Sequence, residues 1–236
     1  MSLSPFARIE WTLALVCGGL LAAAAALMTW WWLIPLPLIA AAAVLAFFRD
    51  PARRIPSQRG IMLAPCDGRV SSIFEVDDHP DLGGPAVCVR IFMSVFDVHI
   101  NRAPCHGAVA RVEHRPGNHG NTLNPDSIED NEAVTTLLVH PTRSHPVACV
   151  RQVAGLLART IHNSLEVGQV VQRGQRFGLI KLGSTTELYI PAALSPEIRI
   201  RQGDACLAGE TVVAEVVPPT RGEGDGADAE ATATDT

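Results

Sequence analysis

The sequence predicts a mainly β protein: a barrel-sandwich-like β domain with one short helix, preceded by an N-terminal transmembrane helical hairpin. Three observations carry this expectation. Residues 11–48 contain no charged side chain. Residues 61–217 read as short apolar or alternating runs broken by Gly, Pro and Asn, with no long amphipathic helix. Finally, Gly168 and Gly174 sit in a frame echoed by Gly203 and Gly209, each pair followed by an apolar strand. Paired turns of this kind resemble the hammerheads of barrel-sandwich domains, which include biotinyl and lipoyl carriers.

The uncharged stretch is too long for one span of ~20 residues and suits two short spans. Trp30, Trp31 and Trp32 fall where a hairpin reaches the far interface, a depth that tryptophan favours. Pro35 and Pro37 fall in the first turn of the second helix, where proline is tolerated. Arg8 stands before the hairpin, and Arg49, Arg53 and Arg54 follow it, so both ends are expected on the cytoplasmic side of the cell membrane. A cleaved signal peptide fits less well, because the stretch is long and lacks a small-residue cleavage site. Residues 1–48 are thus the hairpin and 49–60 a polar juxtamembrane linker. The β domain covers 61–217. Its expected strands lie at 69–74, 86–93, 107–112, 133–140, 147–161, 176–180, 187–190, 197–200 and 211–217, with a helix near 127–132. Residues 218–236 are Gly-, Ala-, Thr- and acid-rich and read as a disordered acidic tail.

The formal net charge is −5, and residues 220–236 hold one Arg against five carboxylates, so most of the imbalance lies in the tail. Nothing argues for nucleic-acid binding. Six scattered cysteines form no C-x-x-C pair, which points to free thiols in a reducing compartment and to no metal site.

Four stretches could carry chemistry. Gly183-Ser184 lies between two expected strands. Ala64-Pro65-Cys66-Asp67-Gly68 leads into another. His99 lies among apolar residues beside Asn101 and Arg102, and residues 150–159 place polar side chains in a buried-looking run. In this order they join Phe48-Arg49-Asp50-Pro51, Arg54-Ile55-Pro56, Phe92-Met93-Ser94, Asp97-Val98-His99, Arg115-Pro116-Gly117, Asn131-Glu132 and Gln152-x-Ala154-Gly155. The ordered set, over about residues 46–192, resembles the short form of the phosphatidylserine decarboxylase proenzymes.

The resemblance implies a pyruvoyl-dependent lyase that needs neither pyridoxal phosphate nor a metal. Ser184 would attack the Gly183 carbonyl, and β-elimination would leave large and small chains, 1–183 and 184–236. The second would carry a pyruvoyl group derived from Ser184. That ketone would form a Schiff base with the amine of phosphatidylserine in the bilayer, releasing CO2 and phosphatidylethanolamine. It also implies proton handling by His99, whose side-chain type titrates near neutrality, and a role in maturation for Asp67. Longer members have a second histidine three residues on, where this chain has Arg102. Either His99 serves both steps or a neighbour such as His106 substitutes. Arg102 and Arg151 are candidates for the substrate phosphate. A homo-oligomer is compatible with the sequence. The rival expectation is a membrane-anchored barrel-sandwich carrier or adaptor without catalysis. A carrier needs a modified lysine at a hairpin tip, and the one lysine, Lys181, lies at a strand end. A serine hydrolase lacks its G-x-S-x-G elbow here.

Overall fold

The computed structural model describes residues 2–122, 124–156, 160–181 and 183–217. The acidic tail and part of the 150–159 run lie outside them. Two apolar helices open the chain, α1 (Arg8–Leu27) and α2 (Pro35–Phe47). With its leading turn, α1 forms a 23-residue helical stretch of mean hydropathy 1.7, almost none of it covered by protein. Such a surface is consistent with membrane anchoring. Pro35 opens α2, and Gly18 lets the helices close up, since a Cβ there would meet that of Ala41 at 2.9 Å.

The β domain is built on one eight-stranded antiparallel sheet that curls into a half-barrel. Its order is Val170–Val171, Gly107–Arg115, Ala133–Val139, Pro146–Val153, Ser184–Pro191, Gly84–Met93, Gly68–His79, Ala205–Cys206. Two three-stranded sheets cover it. One joins Ile161–Asn163, Arg176–Ile180 and Ile100–Arg102; the other joins Glu197–Ile198, Val212–Glu215 and Ile61–Leu63. The main core lies between, formed by Met62, Val70, Val89, Ile91, Met93, Val150, Phe177, Leu188 and Val213 among others. Helix α3 (Pro125–Asp130) falls within two residues of the expected helix. The expected 147–161 strand stops at Val153, because the chain turns at Gly155 to reach the site described below. Strands of two or three residues carry too little alternation to be read from sequence.

The glycine echo belongs to a larger internal repeat. Ala64-Pro-Cys-Asp-Gly-Arg-Val70 matches Ala103-Pro-Cys-His-Gly-Ala-Val109, and the two contact each other reciprocally: Leu63 N–H donates to Pro104 O and Arg102 N–H to Pro65 O. Gly203 and Gly209 donate to Val70 and Ala64, while Gly168 and Gly174 donate to Val109 and Ala103. All four of these turn glycines have positive φ, a region costly for other residues. Strand registers repeat as well, with Ile73 opposite Val89 and Val112 opposite Thr136, and bulges at 70/72 and 109/111. The strand order is therefore symmetric about a pseudo-twofold axis that exchanges Pro146–Val153 with Ser184–Pro191.

The 49–60 segment, polar in sequence, is strapped to the domain rather than free. Arg49–Asp50 pairs with Ser2–Leu3, and buried Asp50 holds both Arg102 and Arg176. Arg53 binds Asp67, and Arg173 donates to the carbonyls of Pro56 and Gln58.

Candidate active site

Ser184 opens the fifth strand of the large sheet, hydrogen-bonded to neighbours on both sides. Directly opposite residues of an antiparallel pair share a face. Ser184 therefore points with Met93 toward the main core, as Thr186 does with Ile91. It is fully buried, and its Oγ has no hydrogen-bond partner among the described residues. An unpaired buried hydroxyl costs about 1–3 kcal/mol, so its retention asks for a chemical reason. The preceding Gly183 has φ +61°, the left-handed region, and its carbonyl oxygen lies against the Cα of Gly155: a Cβ there would sit 1.8 Å from it. Two glycines thus leave this one carbonyl free of side-chain cover. Gly183 also borders a cavity of about 300 Å³ shared with Phe92, Ser94, Val95, Asn121, Thr122 and Leu156.

Met93, the partner of Ser184, leads into a tight turn. Asp97 closes it by accepting from the Ser94 N–H and Oγ at 2.8 and 2.7 Å. His99 follows, with 1% of its surface exposed and its ring 4.4 Å from that of Phe47 at the end of α2. Nδ1 lies 2.9 Å from the Asp97 carbonyl, which fixes the neutral tautomer with the proton on Nδ1. The lone pair is then on Nε2, which is buried and unpartnered. Burial, opposed by the Asp97 carbonyl and carboxylate, pushes the imidazole pKa down to about 4, so it is neutral at pH 7.

Asp67 lies in the first of the two repeated turns. It accepts from Arg53 at 2.7 and 2.9 Å and from the Ala208 N–H at 2.7 Å. Burial raises its pKa against the pull of those two donors. Below Ser184 runs a chain of buried and half-buried side-chain amides, to which sequence reasoning assigns no task. Asn101 donates to Thr186 Oγ1 at 3.3 Å, Gln152 to Asn101 at 2.7 Å, and Asn163 to both Gln152 and Thr136. Each member fixes the next, and together they brace the strands flanking Ser184.

The two candidate phosphate ligands already have carboxylate partners. Arg102 is bound to Asp50 at 2.9 Å. Arg151 binds the fully buried Glu187 at 2.9 Å, in a cluster with Arg90 and Tyr189. Glu187 alternates with Ser184, so Arg151 lies on the opposite sheet face. His106 lies in the second repeated turn, its Nδ1 3.1 Å from the Val171 carbonyl. Lys181 is paired with Glu10 of α1. Sequence reasoning gave Gly155, Arg53 and Phe47 no role at this site. Their signal is tertiary, since each acts on a group more than 10 positions away.

The site thus offers a buried hydroxyl without a hydrogen-bond partner among the described residues, a glycine-flanked backbone carbonyl next to it in the chain and a neutral buried imidazole, all on a β frame, which are the kinds of group covalent catalysis uses. The sequence profile described as phosphatidylserine decarboxylase matches residues 40–214. A phosphatidylserine decarboxylase proenzyme of Rhodopirellula baltica is 42% identical over 182 residues, covering 77% of this chain and 75% of its own. The Symbiobacterium thermophilum proenzyme is 45% identical over 173 residues (73% and 79%), and that of Salinibacter ruber 39% over 202 (84% and 87%). The chain belongs to the phosphatidylserine decarboxylase family.

Proposed function

We propose that this chain cleaves itself between Gly183 and Ser184 and then decarboxylates phosphatidylserine to phosphatidylethanolamine and CO2. The observation that carries the reading is the buried Ser184 hydroxyl, without a hydrogen-bond partner among the described residues, next to the glycine-flanked Gly183 carbonyl, in a chain of this family.

His99 Nε2, not hydrogen-bonded to Ser184 in the structure, must close on it, directly or through one water, to take its hydroxyl proton. Oγ adds to the Gly183 carbonyl and the peptide C–N bond breaks, giving an ester and a free amine on residue 184. Loss of the residue-184 Cα proton then expels the Gly183 carboxylate and leaves dehydroalanine. Water replaces its nitrogen, ammonia leaves, and chain 184–236 begins with a pyruvoyl group. The surroundings fit that group: position 184 is fully buried and paired with Met93, its strand continues between two others from Thr185 on, and Gly155 packs against the adjoining Gly183 carbonyl. When present, the pyruvoyl ketone supplies the electron sink for loss of CO2 from an amino-acid headgroup.

The chain's own side chains manage position and protons. Asp67, locked by Arg53 and the Ala208 N–H, holds the 64–70 turn against the start of the Phe92–Met93 edge and supports maturation. His99 moves the proton needed at the decarboxylated carbon. Its ring gains that proton as the substrate's carboxylate and phosphate enter, because nearby negative charge raises a histidine pKa. The helix pair anchors the domain on the cytoplasmic face, so the acyl chains stay in lipid while the headgroup reaches the cavity beside Gly183. The rival carrier reading gains no support, since Lys181 is engaged with Glu10 rather than presented at a turn tip.

Denaturing intact-mass measurement of freshly purified protein tests the reading. Two chains dividing at 183/184 are expected, the smaller blocked to Edman degradation. A single full-length chain in an active preparation overturns it.

A further inference from the structure

The pseudo-twofold axis gives the active site a counterpart. It exchanges Ser184 with Pro146 and Gly183 with His145, the residues that open the two central strands. It likewise exchanges His99 with Gly60 and Asp67 with His106, the residues before and within the repeated turns. The counterpart is a hollow of about 200 Å³ bordered by Gly60, His106, His140, His145, Val147 and Arg173, among others. Val147 and Val153 are at opposite ends of one strand, so the hollow lies about 20 Å from Ser184. The helix pair packs beside His99 and Leu179, at the Ser184 end. The hollow therefore faces away from the membrane anchor.

Its chemistry is one-sided. Arg173 donates to two carbonyls at 2.6 Å, its Nε is buried and unpartnered, and it has no carboxylate partner among the described residues. An unneutralised, partly buried guanidinium is costly unless something anionic answers it. His140 and His145 stack at 5.2 Å across a tight turn that also carries Arg143. Thr142 N–H donates to His140 Nδ1 at 3.3 Å, which leaves the His140 proton on Nε2 as a donor. Desolvation and the charges of His145, Arg143 and His106 lower the His140 pKa. An adjoining hollow adds Arg59 and Ser57 and shares His106 and Arg173. No carboxylate lines either one among the described residues.

We infer that this hollow is a second ligand site, one that takes a soluble phosphate-class anion, with Arg173, His140 and His145 as its donors. Guanidinium and imidazole N–H groups are the donors that phosphate oxygens take with charge assistance. A metal ion is disfavoured by the fixed positive charge of Arg173 in the same hollow. Through Arg173 the anion would also brace the 56–58 strap that leads to Arg53 and Asp67.

The test uses the full-length protein in phosphatidylcholine nanodiscs. Inorganic phosphate is titrated against chloride at constant ionic strength, with binding read by calorimetry and by thermal midpoint. Saturable binding of phosphate is expected, and Arg173→Met should weaken it about tenfold or more, the usual weight of one charged hydrogen bond. His140→Gln and His145→Gln should each weaken it with the fold unchanged by circular dichroism, and they carry the test should Arg173→Met not fold. Discs containing phosphatidylglycerol separate the two sources of phosphate: undiminished phosphate binding in them supports a soluble ligand. Loss of phosphate binding there, no difference between phosphate and chloride, or wild-type affinity in all three variants would each overturn the inference.

Discussion

At position 99 the ring's Nδ1 faces a carbonyl and its Nε2 has no hydrogen-bond partner among the described residues, so this histidine is equipped to accept a proton. With a pKa of about 4, the self-cleavage rate should be flat from about pH 8 to 5 and fall only as pH approaches 4. The sign for stability follows from the same value. The unfolded chain binds the proton below about 6.5 and the folded one only below about 4. Stability is thus lost as pH falls through that window, by at most about 3 kcal/mol. His99→Ala should lower decarboxylation per cleaved chain by ~10²–10⁴. Quantifying cleaved chain by mass spectrometry and dividing it into the rate checks this, and near-normal activity would remove His99 from turnover. Ser184→Ala should remain one chain and be inactive. Gly155→Ala is a more local probe: its methyl would overlap the Gly183 oxygen, so cleavage should slow by at least about tenfold while the sheet still forms. The sequence singled out Gly183, Ser184, His99 and Asp67, and the fold sets all four at or beside strand ends. It could not show that Gly155 abuts Gly183, because that contact joins segments 28 positions apart through sheet pairing alone.

Helix α2 ends on the candidate site: Phe47 packs against the His99 ring, and Phe48 packs with Val98, Ile100 and Leu179. The apolar hairpin was legible as a membrane element, but its second task was not, since nothing in an apolar run says what its last turn touches. Phe47→Ala should admit water to His99 and raise its pKa toward the ordinary value by about one unit or more, read by NMR titration of the ring. An unchanged pKa would mean that the β domain alone desolvates the histidine. The 49–60 strap teaches the same lesson. Its arginines and prolines look like a free linker, yet Asp50 and Arg53 each close an ion pair with the domain. Charge alone does not separate a solvated residue from a paired one.

Over the whole molecule, the fold is two copies of one unit facing each other across a strand pair. The glycine echo was visible in sequence, and so was Ala-Pro-Cys-x-Gly-x-Val, but seven residues repeated once at a spacing of 39 are easily passed over. The registers and bulges make the relation plain. The repeat accounts for a second hollow at the other end of the strand pair, and the related positions 67/106 and 183/145 give the two ends different residues, Asp against His and Gly against His.

The strand that begins with Ser184 lies fourth from one edge of the eight-stranded sheet and is flanked on both sides. Cleavage just before its first residue, as proposed, would therefore sever the chain without freeing either piece, because residues 184–217 also supply strands to the sheet edge and to one of the small sheets. The covalent connection that brings those strands together during folding is spent once it has done so. A processed molecule unfolded in urea must find its other half by diffusion, and refolding becomes second order. Ser184→Ala precursor should recover with a yield independent of concentration. The processed enzyme should recover poorly, and better as concentration rises, until aggregation intervenes. Equal, concentration-independent recovery of both would show that the small chain is an appendage rather than part of the frame. On this account the mature enzyme persists through the height of its unfolding barrier, as a spring latched after assembly persists through its latch.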